Sequence, residues 1–593
     1  MCGIAGYVGT LDAVPIILES LDRLQYRGYD SAGYAVLDSE GTIQLKRSLG
    51  PVSSLKALAP PTHGSVVGIG HTRWATHGKP TLENTHPMVS CSGDIAVVHN
   101  GIIENYLELR GKLEESGHRF VSETDSEIIP HLLEESVRLG MSFPQAFSQL
   151  PDLLRGSFAI VALEGRDPHL YLTRRTTPLV VGVSDTGYHP ASDIPSFLNF
   201  TSKVVYLKEN DCLEVGPRGI HRLSNSEGDS SPLEPTEIQL ITEPSEGMEK
   251  GTFDHFMIKE IFEQARVIEG IVEKTPTEID ALVTAIQKAR KVFVVGIGTS
   301  YHAALYWDRM ASRLGLPLVR SVVASEIDQF ESLLDKDSLI VVLSQSGETA
   351  DTITAAKIAL DKGAHLWGIL NVPASTLGRL CQRVVPLNCG PEIAVAATKS
   401  YTAQLAVILK TLHRVVYKSG EGDRLLKDAV GTIYDLTSTS VRDHVRGLAK
   451  RLNDASDIFL LGRGLQNVTA REAALKLKEV AGIRAEAFYM GEMKHGPFAL
   501  IREGTPAIMF FNTKDKVVAE MASMELASRG AFICSVGPEP LAATKWHIRT
   551  NESGAGFPLT QIVPLQILSY EIAAVRQMDP DHPRNLAKSV TVG

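Results

Sequence analysis

Apolar residues in the first 222 positions gather into strand-length runs, Gly33 to Leu37, Ile95 to His99 and Ser157 to Leu163 among them. Between the runs the spacing turns helical, as over Thr124 to Leu139. Sheets covered by helices are the expectation. From Ser224 to Gly251 the chain becomes rich in Ser, Glu, Pro and Gly, too poor in apolar residues for a core, and reads as a linker over 223–252. The remaining residues alternate buried-strand runs with helical patterns, which predicts parallel α/β sheets. They also repeat: Lys291 to Gly298 and Asp457 to Gly464 are each an apolar strand, a G-x-G turn and a helix start, 166 residues apart. Two α/β lobes follow, centred on about 281–420 and 453–580. Tyr301 and Asn467 stand where a dinucleotide fingerprint needs its third glycine, so both turns read as tight strand-to-helix connections.

Composition narrows the field. The 593 residues are 44% hydrophobic and 22% charged, ample for several cores. A net charge of -10 provides no basic field for nucleic acid or an anionic membrane. The longest apolar runs, such as Val292 to Val295 and Leu339 to Leu343, fall far short of the roughly 18 residues of a membrane helix. The opening Met-Cys-Gly-Ile-Ala-Gly-Tyr lacks a basic region and a long apolar core, which makes a cytoplasmic location the expectation. Six scattered cysteines with no C-x-x-C pair speak against a disulfide framework and a structural zinc site.

Removal of Met1 would leave Cys2 with a thiol and an α-amine of pKa about 7.7–8.0, nucleophile and base on one residue. Taken alone, Cys2 reads rather as a small buried hydrophobe opening a strand. Its company alters that reading. Gln25-Tyr-Arg-Gly-Tyr-Asp-Ser-Ala-Gly33, His71-Thr-Arg-Trp-Ala-Thr-His-Gly78, His99-Asn-Gly101 and Glu123-Thr-Asp125 each place charged or amide groups at a strand or helix boundary. With Cys2-Gly3-Ile4, these segments resemble the glutaminase domain of class II (N-terminal nucleophile, Ntn) glutamine amidotransferases. The resemblance implies a four-layer αββα Ntn-hydrolase domain over 1–222, in which the Cys2 thiolate attacks the glutamine side-chain amide. Asn100 and Gly101 would form the oxyanion hole, Arg73 would clamp the α-carboxylate, and Asp125 would pair with the α-ammonium. Thr76 and His77 would complete the glutamine site, Arg27 would lie near the nucleophile, and Trp74 would gate the ammonia exit. His71, His77 and His86 lack a helical ligand spacing and a carboxylate-rich context, so no metal is expected.

In the second half, Ser338 to Leu343 leads into Ser344-Gln-Ser-Gly-Glu-Thr349 and then a helix, gathering hydroxyls and free N–H groups at a helix N-terminus suited to a phosphate. Gly298-Thr299-Ser300 adds two hydroxyls. Glu472, Lys476 and Glu479 share one helix face and on their own read as a solvated salt-bridge face. Lys494-His-Gly-Pro497 reads as a turn, and Asn585 to Thr591 as a tail of the kind often left without order. Together, G-T-S, S-Q-S-G-E-T, A-x-T-K-S from Ala396, E-A-A-L-K-L-K-E, K-H-G-P and the N-L-A-K-S-V-T terminus resemble the paired sugar isomerase (SIS) domains of the isomerising glutamine:fructose-6-phosphate aminotransferase family. That resemblance implies parallel-sheet αβα lobes at 253–430 and 431–593, the second carrying a catalytic tail.

It also implies roles. Thr299, Ser300, Ser344, Gln345, Ser346, Thr349 and Val395 would hold the sugar phosphate. His495 would assist ring opening, Lys588 would form a Schiff base with the ketone, and Glu479 would move the proton between C1 and C2. Lys476 would handle hydroxyl protons and Glu472 would position its neighbours. The implied partners are L-glutamine and D-fructose 6-phosphate, at the entry to amino-sugar synthesis, with no cofactor, no metal, and a homodimer formed through the isomerase half. Ile297 and Ala397 depart from residues common in the family, Cys and Ser. Other class II amidotransferases, acting on phosphoribosyl pyrophosphate or aspartate, would need loops that are missing here. A non-catalytic sugar-phosphate sensor would not need Cys2, Glu479 or Lys588.

Overall fold

The computed structural model describes residues 2–59, 64–74, 78–224, 230–241, 249–273, 277–316, 319–417, 420–552 and 554–588. The chain divides into two compact units, one reaching Ser245 and the other spanning Glu246–Lys588.

Strands of the first unit carry apolar residues on both faces, so each face needs its own cover. In Gly3–Gly9, Ile4 and Val8 face one way and Ala5 and Tyr7 the other; in Ile95–Ile103, Ala96 and Val98 oppose Ile95 and Val97. Ile4, Val8, Ala96 and Val98 meet in a core between two antiparallel sheets. One sheet runs Ile238–Leu240, Lys203–Tyr206, Val180–Ser184, Gly187–Ala191, Gly3–Gly9, Val67–Arg73, Ser31–Leu37, Ile43–Leu49. The other runs Ser230–Pro232, Gly219–Leu223, Cys212–Gly216, Leu170–Arg175, Gly156–Glu164, Ile95–Ile103, Met88–Val89. Helix Ala13–Arg23 covers the outer face of the first through Ile17 and Leu21. Helices Tyr106–Glu115, Ile128–Arg138 and Phe143–Ser148 cover the outer face of the second. Three cores therefore separate four layers, α/β/β/α. The stretch read as a plain linker also supplies two exposed edge strands, Ser230–Pro232 and Ile238–Leu240. An edge strand needs only main-chain hydrogen bonds, which a polar segment can make.

The second unit contains two five-stranded parallel sheets of the same topology. The first runs Val319–Val323, Lys291–Gly296, Ser338–Ser344, His365–Leu370, Arg383–Pro386, and the second Arg484–Tyr489, Asp457–Gly462, Pro506–Phe510, Phe532–Gly537, Trp546–Arg549. Val292 and Val294, with Ile458 and Leu460, enter one large core that both lobes share with helices including Phe256–Glu273, Lys399–Val416, Leu465–Ala481 and Val563–Val575. The alternate residues, Val295 and Leu461 among them, pack under Ala350–Asp361 and Lys516–Ala527 on the outer faces. Each first strand passes to its helix through a glycine at φ +56° (Gly298) or +58° (Gly464), a backbone region that side chains disfavour. That conformation explains the repeated G-x-G without a dinucleotide. Among the described residues, no helix is long and apolar enough to cross a membrane.

Candidate functional site

Strand Gly3–Gly9 and its neighbour Val67–Arg73 run antiparallel with Gly3 opposite Thr72, so Cys2 arrives beside Arg73 and Trp74. The Trp74 N–H donates to Cys2 Sγ at 3.2 Å. Burial pushes the thiol up from its ordinary value, opposed by that N–H and by the charges of Arg73 and Arg27. Arg27 is buried, donates to Cys2 O at 3.2 Å and pairs with Asp193 at 2.9 Å. Cys2, Arg73, Trp74, Gly101 and Asp125 line one pocket with His86, His99, Thr124 and Ser126. Asn100 donates from Nδ2 to Cys2 O at 2.9 Å. Asp125 opens a short 3-10 turn and accepts the Ile103 N–H at 2.8 Å, while Arg73 donates to Gly78 O at 3.1 Å and Lys79 O at 3.3 Å. The structure thus assembles Cys2, Arg27, Arg73, Trp74, Asn100, Gly101 and Asp125. Thr76 and His77 lie outside the described residues.

His71 adds a function that its sequence position does not advertise. Its Nε2 lies 3.0 Å from Asn100 Oδ1 and 3.1 Å from His99 O, both acceptors, so Nε2 carries the proton and turns the Asn100 amide with its N–H groups toward Cys2. Burial pushes His71 down to about 3, keeping it neutral. The ring of His86 stacks on it at 4.1 Å.

In the second unit, the expected phosphate loop sits where the first sheet's strand order reverses, between Lys291–Gly296 and Ser338–Ser344, the place where open parallel sheets bind ligands. Ser344 Oγ accepts the Gly347 N–H at 2.9 Å and Ser346 Oγ the Glu348 N–H at 3.2 Å, which shapes the turn. Gln345 and Ser346 are half-buried, and Thr349 caps helix Ala350–Asp361 without a side-chain hydrogen bond. Thr299 and Ser300 begin helix Thr299–Arg313 at the end of the adjacent strand. Ser300 accepts from Gln404 at 3.0 Å.

Thr299 is tied into a different group. Its hydroxyl donates to Glu472 Oε1 at 3.1 Å and accepts from Lys476 Nζ at 3.1 Å. Lys476 Nζ also lies 2.6 Å from Glu479 and 3.4 Å from Glu472, and His302 Nδ1 lies 2.6 Å from Glu472. The side chains of Glu472 and Lys476 have 0% exposure, so the solvated-face reading of this helix is wrong: the first lobe's Thr299 and His302 cover it. Burial by itself would lower Lys476, but the Glu479 and Glu472 carboxylates outweigh it and hold the amine above its ordinary value. His302 has no motif to announce it; only contact with Glu472 brings it in.

The tail is anchored as far as Lys588. Asp581 accepts the Phe256 and Met257 N–H groups at 2.9 and 2.8 Å, capping helix Phe256–Glu273. Asp581 O accepts the Val395 N–H at 3.0 Å, tying the tail to the segment after Glu392. Lys588 Nζ lies 2.6 Å from Glu392 Oε2 and 2.8 Å from Ala394 O. Burial would raise Glu392, yet Lys588 and the N–H groups of Ser400 and Thr398 bring it down to about 2. Glu392 is also among the charges acting on Lys476. Beside it, burial pushes Glu260 up to about 8, with Glu392 adding to the effect. Glu260 accepts N–H groups from Ile393 and Ala394, and among the described residues its Oε2 has no hydrogen-bond partner. His495, exposed, ends the 3-10 turn Met490–His495, and among the described residues no hydrogen bond joins it to these clusters.

Comparison with known proteins agrees with this division. Residues 285–414 and 451–576 match the SIS domain family, and 71–199 match a glutamine amidotransferase domain. The chain is 40% identical over 609 residues to the glutamine--fructose-6-phosphate aminotransferase [isomerizing] of Pyrococcus horikoshii, covering all of both chains. It is 39% identical over 613 residues to a protein of that name from Thermus thermophilus, again over both full lengths. A solved C-terminal domain of glucosamine-fructose-6-phosphate aminotransferase from Francisella tularensis matches 56% of this chain and 99% of its own, with 26% identity and a TM-score of 0.50. End-to-end likeness of this kind, on a chain that carries both domain types in order, means that it belongs to the isomerising glutamine:fructose-6-phosphate aminotransferase family.

Proposed function

We propose that the chain transfers the amide nitrogen of L-glutamine to D-fructose 6-phosphate and isomerises the ketose to the aldose, yielding D-glucosamine 6-phosphate and L-glutamate. The observation that carries this reading is the presence, in one chain, of a pocket around Cys2 and of a buried Thr299, Glu472, Lys476, Glu479 cluster with an anchored Lys588.

In the first half, the Cys2 thiolate attacks the glutamine amide carbon, ammonia leaves, and water hydrolyses the thioester to glutamate. The α-amine exposed by removal of Met1 serves as the base. Asn100 Nδ2 and the Gly101 N–H stabilise the oxyanion, a contribution typically of about 2.7–4 kcal/mol per donor. Arg73 and Asp125 hold the amino acid's charged ends, Trp74 lines the same pocket, Arg27 holds the Cys2 carbonyl, and the resemblance assigns Thr76 and His77 to glutamine binding.

In the second half, the Ser344 to Thr349 loop, with Thr299 and Ser300 behind it, binds the sugar phosphate, and His495 assists ring opening. Lys588 condenses with the C2 ketone, releasing water, and ammonia displaces the lysine to leave a C2 imine. Condensation uses the neutral amine of Lys588 as the nucleophile. Glu479 carries a proton from C1 to C2, with Lys476 handling hydroxyl protons and Glu472 positioning both. Oxidation at C1 and reduction at C2 cancel within the sugar, so the chemistry needs no external redox group.

The test is glutamine labelled with 15N at its amide. Incubation with fructose 6-phosphate should place the label in glucosamine 6-phosphate, and labelled ammonia plus glutamate without amino sugar would refute the reading. A cytoplasmic homodimer belongs to the same proposal. It is supported by an apolar stripe, Val517, Met521 and Met524, exposed by 71%, 58% and 54% on helix Lys516–Ala527. Sedimentation should give twice the 64.4 kDa chain mass.

A further inference from the structure

The glutaminase unit holds a second cluster that the reaction does not use. Cys91 lies in the turn between Met88–Val89 and Ile95–Ile103, His118 follows helix Tyr106–Glu115, and His131 and Glu134 stand three residues apart on helix Ile128–Arg138. One donor atom from each of the four lies within 4.8 Å of all the others. His118 Nδ1 is 3.2 Å from His131 Nδ1, 3.3 Å from Glu134 Oε2 and 3.8 Å from Cys91 Sγ; His131 Nδ1 is 3.5 Å from Cys91 Sγ and 3.8 Å from Glu134 Oε2. Zinc bonds of about 2.0–2.1 Å to nitrogen and about 2.3 Å to sulfur, set tetrahedrally, put ligand atoms roughly 3.3–3.6 Å apart. The cluster has that size.

A second observation shows which way the rings face. His118 Nε2 lies 3.1 Å from Glu135 Oε2, a carboxylate that Arg138 grips with two hydrogen bonds of 2.7 Å. Nε2 is therefore the N–H, and the Nδ1 lone pair points inward. His131, 1% exposed, has its Nε2 3.7 Å from Glu127, beyond hydrogen-bond distance, and its Nδ1 on the inward side beside His118 Nδ1. The inward ring nitrogens, the Cys91 thiol and a carboxylate oxygen that also accepts the Cys91 N–H at 3.1 Å then converge, an arrangement that a cation stabilises. The Arg119 N–H donates to Cys91 Sγ at 3.4 Å, as it would to a metal thiolate.

We propose that Cys91, His118, His131 and Glu134 form a structural site for a tetrahedral divalent transition metal of the zinc class. One sulfur, two nitrogens and one oxygen suit zinc rather than magnesium or calcium, and four protein donors close the coordination sphere, as in structural rather than catalytic sites. The metal pins the Cys91 turn and the His118 turn to helix Ile128–Arg138, which continues from the 3-10 turn that holds Asp125. This departs from the expectation of no zinc site. The donors come from three separate segments, so the spacing of cysteines along the chain carries no signature of it.

Full-length, tag-free chain should retain about one zinc per chain by elemental analysis. After chelation and reloading with cobalt(II), it should show a thiolate-to-cobalt charge-transfer band and tetrahedral d–d bands. Cys91→Ser, at an exposed position that tolerates the change, should lose the charge-transfer band. Glu135→Gln should weaken zinc binding by about 10–100-fold while leaving all four ligands in place. Wild-type chain that neither retains zinc nor gives the cobalt–thiolate band would overturn the proposal. A charge-transfer band that survives Cys91→Ser would also overturn it.

Discussion

Glu260 and Glu392 are buried carboxylates in one neighbourhood, and the structure drives them in opposite directions. Glu392 has Lys588 and two N–H groups to hold its charge; Glu260 has the repulsion of Glu392 and an oxygen without a partner. A folded-state value raised to about 8 stabilises the fold fully below the unfolded value of 4.5, and the contribution is lost as pH rises through 8. Glu260→Gln should abolish that slope, so urea unfolding of the isomerase half should favour the variant over wild type by on the order of a few kcal/mol more at pH 9 than at pH 5. At the glutaminase pocket, Gly101 has φ +126°, and an added Cβ would lie 2.0 Å from the Ser157 carbonyl oxygen. Gly101→Ala should lower stability by about 1–3 kcal/mol and abolish glutamine hydrolysis, whereas Asn100→Ala should keep the melting temperature and lower kcat by about 10²–10³-fold. Cys2, Arg73 and Asp125 were legible because each stands inside a motif of the sequence, and the structure brings all three to one pocket. His71 and Glu260 were not, because they act through Asn100 and through the Ile393 to Val395 segment, and only contact reveals that.

Helix Leu465–Ala481 shows what periodicity can and cannot reveal at the level of an element. The spacing of Glu472, Lys476 and Glu479 places them on one face, as read; whether that face meets water depends on what packs over it. Burial makes the three charges interdependent. Lys476→Met should leave Glu472 and Glu479 without their cation and lower the melting temperature of the isomerase half, with a cost of about 3–5 kcal/mol. Glu479→Gln removes no buried cation and should leave the fold intact, reducing amino-sugar formation by about 10²–10⁴-fold while glutamine hydrolysis persists. Measuring both activities and the melting curve on both variants separates the structural from the chemical contribution. The tail is the converse case. A polar, proline-bearing segment read alone carries no apolar anchor, yet Asp581 fastens it by capping a helix more than 300 residues earlier.

Across the whole molecule, each compact unit has cores of its own: among the described residues, four buried clusters in the first and three serving the two lobes of the second. Calorimetry should therefore resolve two unfolding transitions. Fructose 6-phosphate should raise the isomerase transition with its concentration, by an amount that follows RT ln(1 + [L]/Kd), and the Cys2→Ala variant should keep that response while losing glutamine use. A single transition that moves as one with the sugar phosphate would contradict independent cores.

Strand and helix periods, the repeated G-x-G turns and the ordered motifs were sufficient for the domain types and the duplication, and they named candidate side chains that the structure gathers around Cys2. Those features are local, and local spacing dictates which residues share a face or a turn. Long-range packing alone settled the burial of the Glu472 face, the engagement of Thr299 and His302 with it, the anchoring of Lys588 on Glu392, and the convergence of Cys91, His118, His131 and Glu134. Each depends on distances between residues far apart in the chain, and a charge, a hydrogen bond or a metal responds to distance in space.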